Sequence, residues 1–328
     1  MKIYFVSQSI KKIGATGVTK VGFRMLSNFL DIHNDVSVLS STSKNKFYQE
    51  FKDNYNLKNK PTGWYPLNYR FASTIGKREK IHLIVAKYIL NFFRYELKNF
   101  IFQKNTIVFF NHITEDIYKI KAKNKNIKSV VIIHGSPDGY TPANSPLYSQ
   151  KNVSDILNEF DYVVYLSKAN FKSWTKKLVS NSNHFIISNS IEEDEVQSIL
   201  NYDKNYYYSS LNFKEDNFNV VIPGSVIYVK GQDLIINNIE KILALIPNIH
   251  IHFIGGIRGE WATNLLDYVM NSKYINCMTF HGFVNNSLEF IYAADLILLP
   301  SRAEGQPLAV LEAMALGKVV VTTNYEGI

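Results

Sequence analysis

The sequence predicts an α/β protein built from two doubly wound, Rossmann-like domains, and three observations carry that prediction. Short apolar runs of strand length alternate with segments of helical periodicity, the pattern of βαβ units and parallel sheets. The alternation comes in two series, separated by a stretch at 191–219 rich in charged residues, Tyr, Asn and Ser. The length, 328 residues, suits two domains of ordinary size.

Taken in order, the first series places strands at 3–7, 36–39, 107–110, 130–133, 162–166 and 184–187. The second places them at 220–222, 249–254, 278–280, 296–299 and 319–322. The domains are then expected at 1–200 and 217–328, with a linker at 201–216. A helix is expected over 81–101, where Ile81, Ile84, Val85, Tyr88, Ile89, Phe92, Phe93, Leu97, Phe100 and Ile101 recur on one face while Lys80, Lys87, Arg94 and Lys98 fall elsewhere. It reads either as a helix packed on its own sheet or as a basic amphipathic helix at a membrane surface. Another helix is expected over 234–246. No short-period repeat is evident.

Composition is that of a globular protein, 46% apolar and 20% charged. The single cysteine, Cys277, excludes an internal disulfide and suits a reducing compartment. The N-terminus reads as a strand without the apolar core of a signal peptide, and no apolar run is long enough to span a bilayer. The expected location is cytoplasmic, with peripheral contact to the inner face of the membrane. Net charge is +8, distributed unevenly: residues 1–205 carry 29 Lys/Arg and 17 Asp/Glu, residues 206–328 carry 7 and 11. A basic N-terminal half favours an anionic partner, whether nucleic acid, phospholipid surface or phosphorylated substrate.

Several motifs lie where open α/β sheets bind ligands, at the carboxyl ends of strands. Gly14-Ala15-Thr16-Gly17 follows the first strand and offers backbone amides to an anion, or is simply a turn. His134 ends the strand at 130–133. Pro223-Gly224-Ser225 follows the strand at 220–222, and Lys230-Gly231 opens the next helical segment, where an ammonium suits a phosphate or merely caps the helix. Gly255-Gly256 repeats the strand–glycine–helix pattern. His250 and His252 share a strand face and read as structural, since a metal needs more ligands. No D-x-D occurs, so no carboxylate clamp for a metal–diphosphate complex is offered and no metal is expected. The most informative block runs from Pro300 to Gly317. Glu304 stands in a Gly/Pro loop, and Glu312, separated from it by seven residues, stands inside an otherwise apolar helix, where a carboxylate is costly unless something satisfies it.

In this order the pieces resemble the retaining glycosyltransferases of the GT-B fold, family 4, glycosyl transferases group 1. The resemblance is carried by Gly14–Gly17, His134, Ser167-Lys168-Ala169, Asn189-Ser190-Ile191, Gly224 with Lys230-Gly231, Gly255-Gly256, Gly282-Phe283-Val284 and the block from Tyr292 to Gly317. It implies two domains facing a cleft, a nucleotide-sugar donor as substrate and no cofactor or metal. Glu304 would contact the donor sugar and Glu312 the ribose. The amides of Gly305, Gln306 and Leu308 would face the sugar and diphosphate. Lys230 would bind the diphosphate, with Arg302 or Arg258 as substitutes for the arginine that many relatives carry where this chain has Ser225. Gly14 and Gly17 would approach the phosphates from the other domain, and His134 would lie near the reacting sugar. The acceptor would be a glycan or lipid-linked glycan, and the second domain would be truncated at its C-terminus. A GT-B nucleotide-sugar epimerase and a non-catalytic nucleotide-sugar binder are the alternatives. Nucleic-acid binding rests on charge alone and is not expected.

Overall fold

The computed structural model describes residues 2–7, 17–32, 35–40, 63–66, 101–137, 152–177 and 182–325. Gly14 and residues 81–100 of the helix expected over 81–101 lie outside them, and Ile101, its last expected residue, is exposed and belongs to no helix. The chain divides into two compact units, Met1–Ile187 and Ser188–Ile328.

The first unit is a seven-stranded sheet of order β3-β2-β1-β4-β5-β6-β7, parallel throughout. Its strands are β1 (Ile3–Ser7), β2 (Val36–Ser40), β3 (Gly63–Pro66), β4 (Ile107–Phe110), β5 (Lys128–Ile133), β6 (Tyr162–Tyr165) and β7 (Asn183–Ile186). Among the described helices are α1 (Gly17–Ile32), α2 (Glu115–Lys123), α3 (Val153–Asn158) and α4 (Lys168–Lys177). β1 and β2 are buried along their whole length, as expected of strands covered on both faces. Tyr4, Val6, Val108, Phe110, Val131, Ile133 and Trp174 pack on one side of the sheet, and Ile132, Val164 and Leu166 on the other. Each large apolar side chain buried this way contributes roughly 1.5–3 kcal/mol. The order reverses between β1 and β4, which makes their carboxyl ends the switch point of this sheet.

The second unit is a parallel five-stranded sheet of order β10-β9-β8-β11-β12. Its strands are β8 (Phe218–Pro223), β9 (Ile249–Ile254), β10 (Met278–Gly282), β11 (Leu296–Leu299) and β12 (Val320–Thr322). The helices are α5 (Glu193–Leu200), α6 (Lys204–Leu211), α7 (Gln232–Ile236), α8 (Ile239–Leu245), α9 (Glu260–Met270), α10 (Ser287–Ala293) and α11 (Leu308–Ala315). Here the order reverses between β8 and β11.

The structure differs from expectation in three places. The unit boundary falls at 187/188 rather than near 200, and the stretch expected as a linker carries α6, which packs on α10. Tyr207 and Tyr208 are buried there, and Tyr207 meets the ring of Tyr292 edge-on at 5.7 Å. The helix expected over 234–246 is two helices broken at Asn237-Asn238, where Asn238 Nδ2 bonds back to Leu234 O at 2.8 Å. A short amide side chain that bonds the local backbone competes with helix continuation. Strand β3, absent from the sequence reading, is an edge strand of four residues ending in proline, a residue tolerated there. His250 and His252 are structural as expected: His250 bonds Thr279 and His252 bonds Asn219 and His281.

Candidate functional site

The carboxyl ends of β8 and β11 bring together most of the residues singled out in the second unit. β8 leads into Gly224-Ser225, a 3-10 turn over Tyr228–Lys230, and α7. β11 leads into Ser301-Arg302 and the loop carrying Glu304. Lys230 Nζ bonds Glu304 Oε1, and Ser301 Oγ donates to the same carboxylate oxygen at 2.8 Å. Ser301 is itself held by the hydroxyl of Thr323, just past β12, which donates to the Ser301 carbonyl. The aliphatic stem of Lys230 lies over Gly224, its Cε 3.6 Å from where a Cβ on that glycine would stand.

A second ion pair fixes the turn that carries Lys230. Arg302 takes both oxygens of Asp233 at 2.8 and 2.7 Å, donates to Tyr228 O at 2.6 Å and stacks over the Tyr228 ring at 4.0 Å. Its backbone amide donates to Val229 O at 2.8 Å. The guanidinium holds the Asp233 carboxyl below its ordinary pKa. Arg302, expected as a substitute cation for the diphosphate, is therefore committed to Asp233, where a bidentate charged pair costs a great deal to break. Below this turn Gln232, buried, donates through Nε2 to Ser225 O at 3.1 Å, while its Oε1 is buried without a partner.

The loop preceding α11 is anchored by Asn189. Its backbone amide donates to Gln306 Oε1 at 2.6 Å and its side-chain amide to Gln306 O at 2.9 Å. Gly305 and Leu308 are buried beside it, and α11 begins at Leu308, so its first-turn amides open toward the same loop. Glu312 is 5% exposed on the following turn, within a helix otherwise made of Leu, Ala, Val and Met. Ser190, in the adjoining turn, has a negative φ; among the described residues other than glycine, only Asn105 and Asn212 take the left-handed conformation.

His134 stands in the first unit, after β5, and Gly17 opens α1 there. His134 Nε2 meets Asn111 Oδ1 at 3.1 Å, and Asn111 Nδ2 donates to Ser7 Oγ at 3.1 Å. The three residues come from the ends of β5, β4 and β1, at the switch point of that sheet. Asn111 presses on α1 so closely that a Cβ at Gly22 would lie 2.4 Å from its amide nitrogen. The loop after His134 is fixed by α4: Trp174 Nε1 and Asn170 Nδ2 donate to Gly135 O at 2.9 and 3.0 Å. Burial, with His112 nearby, pushes the His134 pKa down to about 3, and burial pushes His112 to about 4. Both rings are neutral near pH 7. Asn111, Asp233, Gln232 and Thr323 were not singled out as partners of the site, although Asn111 follows an apolar strand just as His134 does.

Among the described residues no group of three or more His, Cys, Asp or Glu could hold a metal ion, and no helix is long and apolar enough to cross a membrane.

Two parallel α/β sheets, each with polar groups gathered at its switch point, define a two-unit Rossmann-like protein, and its solved structural neighbours are GT-B glycosyltransferases. Anabaena Alr3699/HepE, solved in complex with UDP-glucose, aligns with a TM-score of 0.66 at 17% identity, over 100% of this chain and 81% of that one. S. aureus TarM, solved with UDP among its ligands, aligns with a TM-score of 0.66 at 14% identity, over 99% and 86%. More particularly, residues 203–328 match the family Glycosyl transferases group 1. The capsular polysaccharide biosynthesis glycosyltransferase CapH of Staphylococcus aureus is 29% identical over 117 residues, 35% of this chain and 33% of CapH. The O-antigen biosynthesis glycosyltransferase WclY of Escherichia coli is 30% identical over 166 residues, 50% of this chain and 44% of WclY. The match thus spans less than half the length of either relative.

Proposed function

We propose that the chain is a metal-independent, retaining glycosyltransferase of family 4. It transfers a sugar from a nucleotide-sugar donor to a glycan or lipid-linked acceptor, in the assembly of a cell-surface polysaccharide or glycolipid. The observation that carries this reading is the Lys230–Glu304 pair, held at the switch point of the second sheet and followed by the buried Glu312. The family match over 203–328 and the capsule and O-antigen roles of CapH and WclY support it.

In this reading a diphosphate competes with Glu304 for the Lys230 ammonium. Glu304, released, accepts hydrogen bonds from the donor sugar, and Glu312 accepts from the ribose. As the glycosyl bond breaks, negative charge grows on the departing nucleoside diphosphate. Lys230, the Gly224-Ser225 turn and the amides around Gly305, Gln306 and Leu308 are fixed in place before that charge appears, which lowers the barrier without reorganisation. That set takes the role a metal would otherwise fill. In the first unit Gly17 opens α1, where helix-terminal amides suit an anion. His134, neutral, serves there as a hydrogen-bonding partner to a sugar hydroxyl rather than as a cationic acid. The first unit, with 28 Lys/Arg against 12 Asp/Glu, favours an anionic or lipid-linked acceptor at the inner face of the cytoplasmic membrane.

The test is turnover with a panel of UDP, GDP and ADP sugars, with and without a chelator, with the product anomer read by NMR. One donor should be consumed with retention and without metal, and Glu304→Gln should lower kcat by about 100-fold or more. Unchanged turnover in Glu304→Gln, or donor conversion that needs no acceptor, contradicts the reading.

A further inference from the structure

Tyr325 carries a buried hydroxyl that nothing among the described residues satisfies. β12 ends at Thr322, and the chain then doubles back: Thr323 N donates to Leu299 O at 3.2 Å and Tyr325 N to Thr323 O at 3.0 Å. The other hydroxyls of this segment are engaged. Thr322 donates to Thr323 O at 2.9 Å, and Thr323 donates to Ser301 O. Tyr325 is only 4% exposed, yet its phenolic oxygen makes no hydrogen bond. A phenol that gives up its water on folding and gains no bond is a net loss, and buried hydroxyls are normally paired.

The neighbour that can use this hydroxyl is Glu304. Ser301, whose carbonyl holds Thr323, donates its own hydroxyl to Glu304 Oε1, the oxygen that Lys230 also meets. The loop carrying Tyr325 is therefore tied to the residue that orients the Glu304 carboxylate. Both donors fall on Oε1, and among the described residues nothing donates to Oε2. Burial above all raises the Tyr325 pKa, Thr322 draws it back, and the charge of Glu304 raises it further. The proton stays on the phenol near pH 7, so a carboxylate meets it as a donor.

The nucleotide-sugar reading, on which this inference rests, has a diphosphate draw Lys230 away from Glu304. The carboxylate then keeps Ser301 but loses its charged donor, and a half-buried carboxylate short of donors is costly. We infer that Tyr325 is a positioning residue for Glu304: once a diphosphate takes Lys230, the Tyr325 hydroxyl donates to the freed carboxylate in the ammonium's place. The proton remains on the phenol throughout, and only hydrogen bonds change. The hydroxyl left unsatisfied in the free protein is satisfied in the bound one, and that difference between the two states favours binding.

Calorimetric titration of the full chain with UDP, GDP and ADP tests this, alongside thermal unfolding of the free protein, using wild type, Y325F, E304A and the double variant. Y325F removes only the hydroxyl. The unfolding temperature of the free protein should hold or rise, since no bond is lost, while affinity for the diphosphate that wild type binds should fall about tenfold. In the E304A background the same change should leave affinity unaltered, because the acceptor is gone. A lower unfolding temperature in Y325F would mean that the hydroxyl is already bonded in the free protein. Unchanged affinity in Y325F, or a loss of the same size without Glu304, would mean that it does not serve the carboxylate. Each of these overturns the inference while leaving the nucleotide reading intact. Failure of wild type to bind any of the three contradicts the nucleotide reading itself, and the inference with it.

Discussion

At the scale of single residues, the site depends on Gly231 more than on any charged group. This glycine joins the Lys230 turn to α7 with φ +68°, and a Cβ there would stand 2.0 Å from Pro300 O and 2.9 Å from Pro300 C. Both atoms are backbone at the end of β11, so no rotamer change relieves the overlap. The turn has to shift away from β11, and Lys230 is carried off Glu304 with it. Gly317, which ends α11, supplies a control, with φ +67° but nothing within 4 Å of its Cβ position. Gly317→Ala should therefore cost only the conformational strain, about 1 kcal/mol. Gly231→Ala should cost about 3 kcal/mol and also abolish diphosphate binding. Chemical denaturation of both variants measures the difference, and equal losses would rule out the Pro300 overlap as the cause.

At the scale of elements, the turn over Tyr228–Lys230 is held from outside by a residue that follows β11. Arg302 contacts Tyr228, Val229 and Asp233, which bracket Lys230 on both sides. Arg302→Ala should leave the sheet intact and loosen this turn. Amide exchange at Lys230 and Gly231 should accelerate about tenfold, matching the loss of charged hydrogen bonds worth roughly 1.5–3 kcal/mol, part of which water restores. Exchange unchanged at those two amides would show that the turn stands without Arg302. The same contacts mark where the sequence stopped being readable. β4 and β11 were legible because each is an uninterrupted apolar run of strand length, β1 because only its last residue is polar, and β9 because its two histidines alternate with apolar residues. β3, read as Gly63-Trp64-Tyr65-Pro66, has no such run, and the break between α7 and α8 lies in side-chain bonding rather than in periodicity. His134 was legible as a polar group at a strand end, where open α/β sheets bind ligands, Lys230 as a cation opening a helical segment after a strand, and Glu304 as a loop carboxylate with seven residues between it and the one in an apolar helix. The bonds between such groups were not. Lys230 and Glu304 are 74 residues apart and Asp233 and Arg302 are 69 apart. Only the adjacency of β8 and β11, a property of sheet order, brings them together.

At the scale of the molecule, both units bury neutral histidines, and this sets the acid limit of the fold. In the second unit, Asn219 directs its side-chain amide to Tyr208 OH, Lys214 O and Asn217 O, which leaves its Oδ1 to accept from His252 Nε2–H. His252 Nδ1 must then accept from His281 Nε2–H, at 3.0 Å. Phe213 stacks on His252 at 3.9 Å, and His250 lies beside it with Thr279. Protonating His252 would set two donors against each other inside an apolar layer. Burial first, then His250 and His281, push the His252 pKa down to about 3, and burial also lowers His250 and His281. In the first unit His112 and His134 are lowered to about 4 and about 3. The unfolded chain binds protons at these rings near pH 6.5, whereas the folded chain does not. Stability is therefore complete above that pH and falls as pH drops toward 3, by up to about 1.4 kcal/mol per pH unit for each histidine. Asp233, held low by Arg302, adds its own loss only near pH 4 and below. Between pH 7.5 and 5.5 the histidines act alone, and the unfolding temperature of the second unit should fall by on the order of 10 °C. His252→Gln keeps a side-chain amide for the Asn219 contact and removes one titrating ring, so its unfolding temperature should fall less steeply over the same interval. Scanning calorimetry at half-unit pH steps measures both slopes. A flat profile in wild type, or parallel profiles in the two proteins, would place a proton on this network in the folded state and remove it as the source of acid lability.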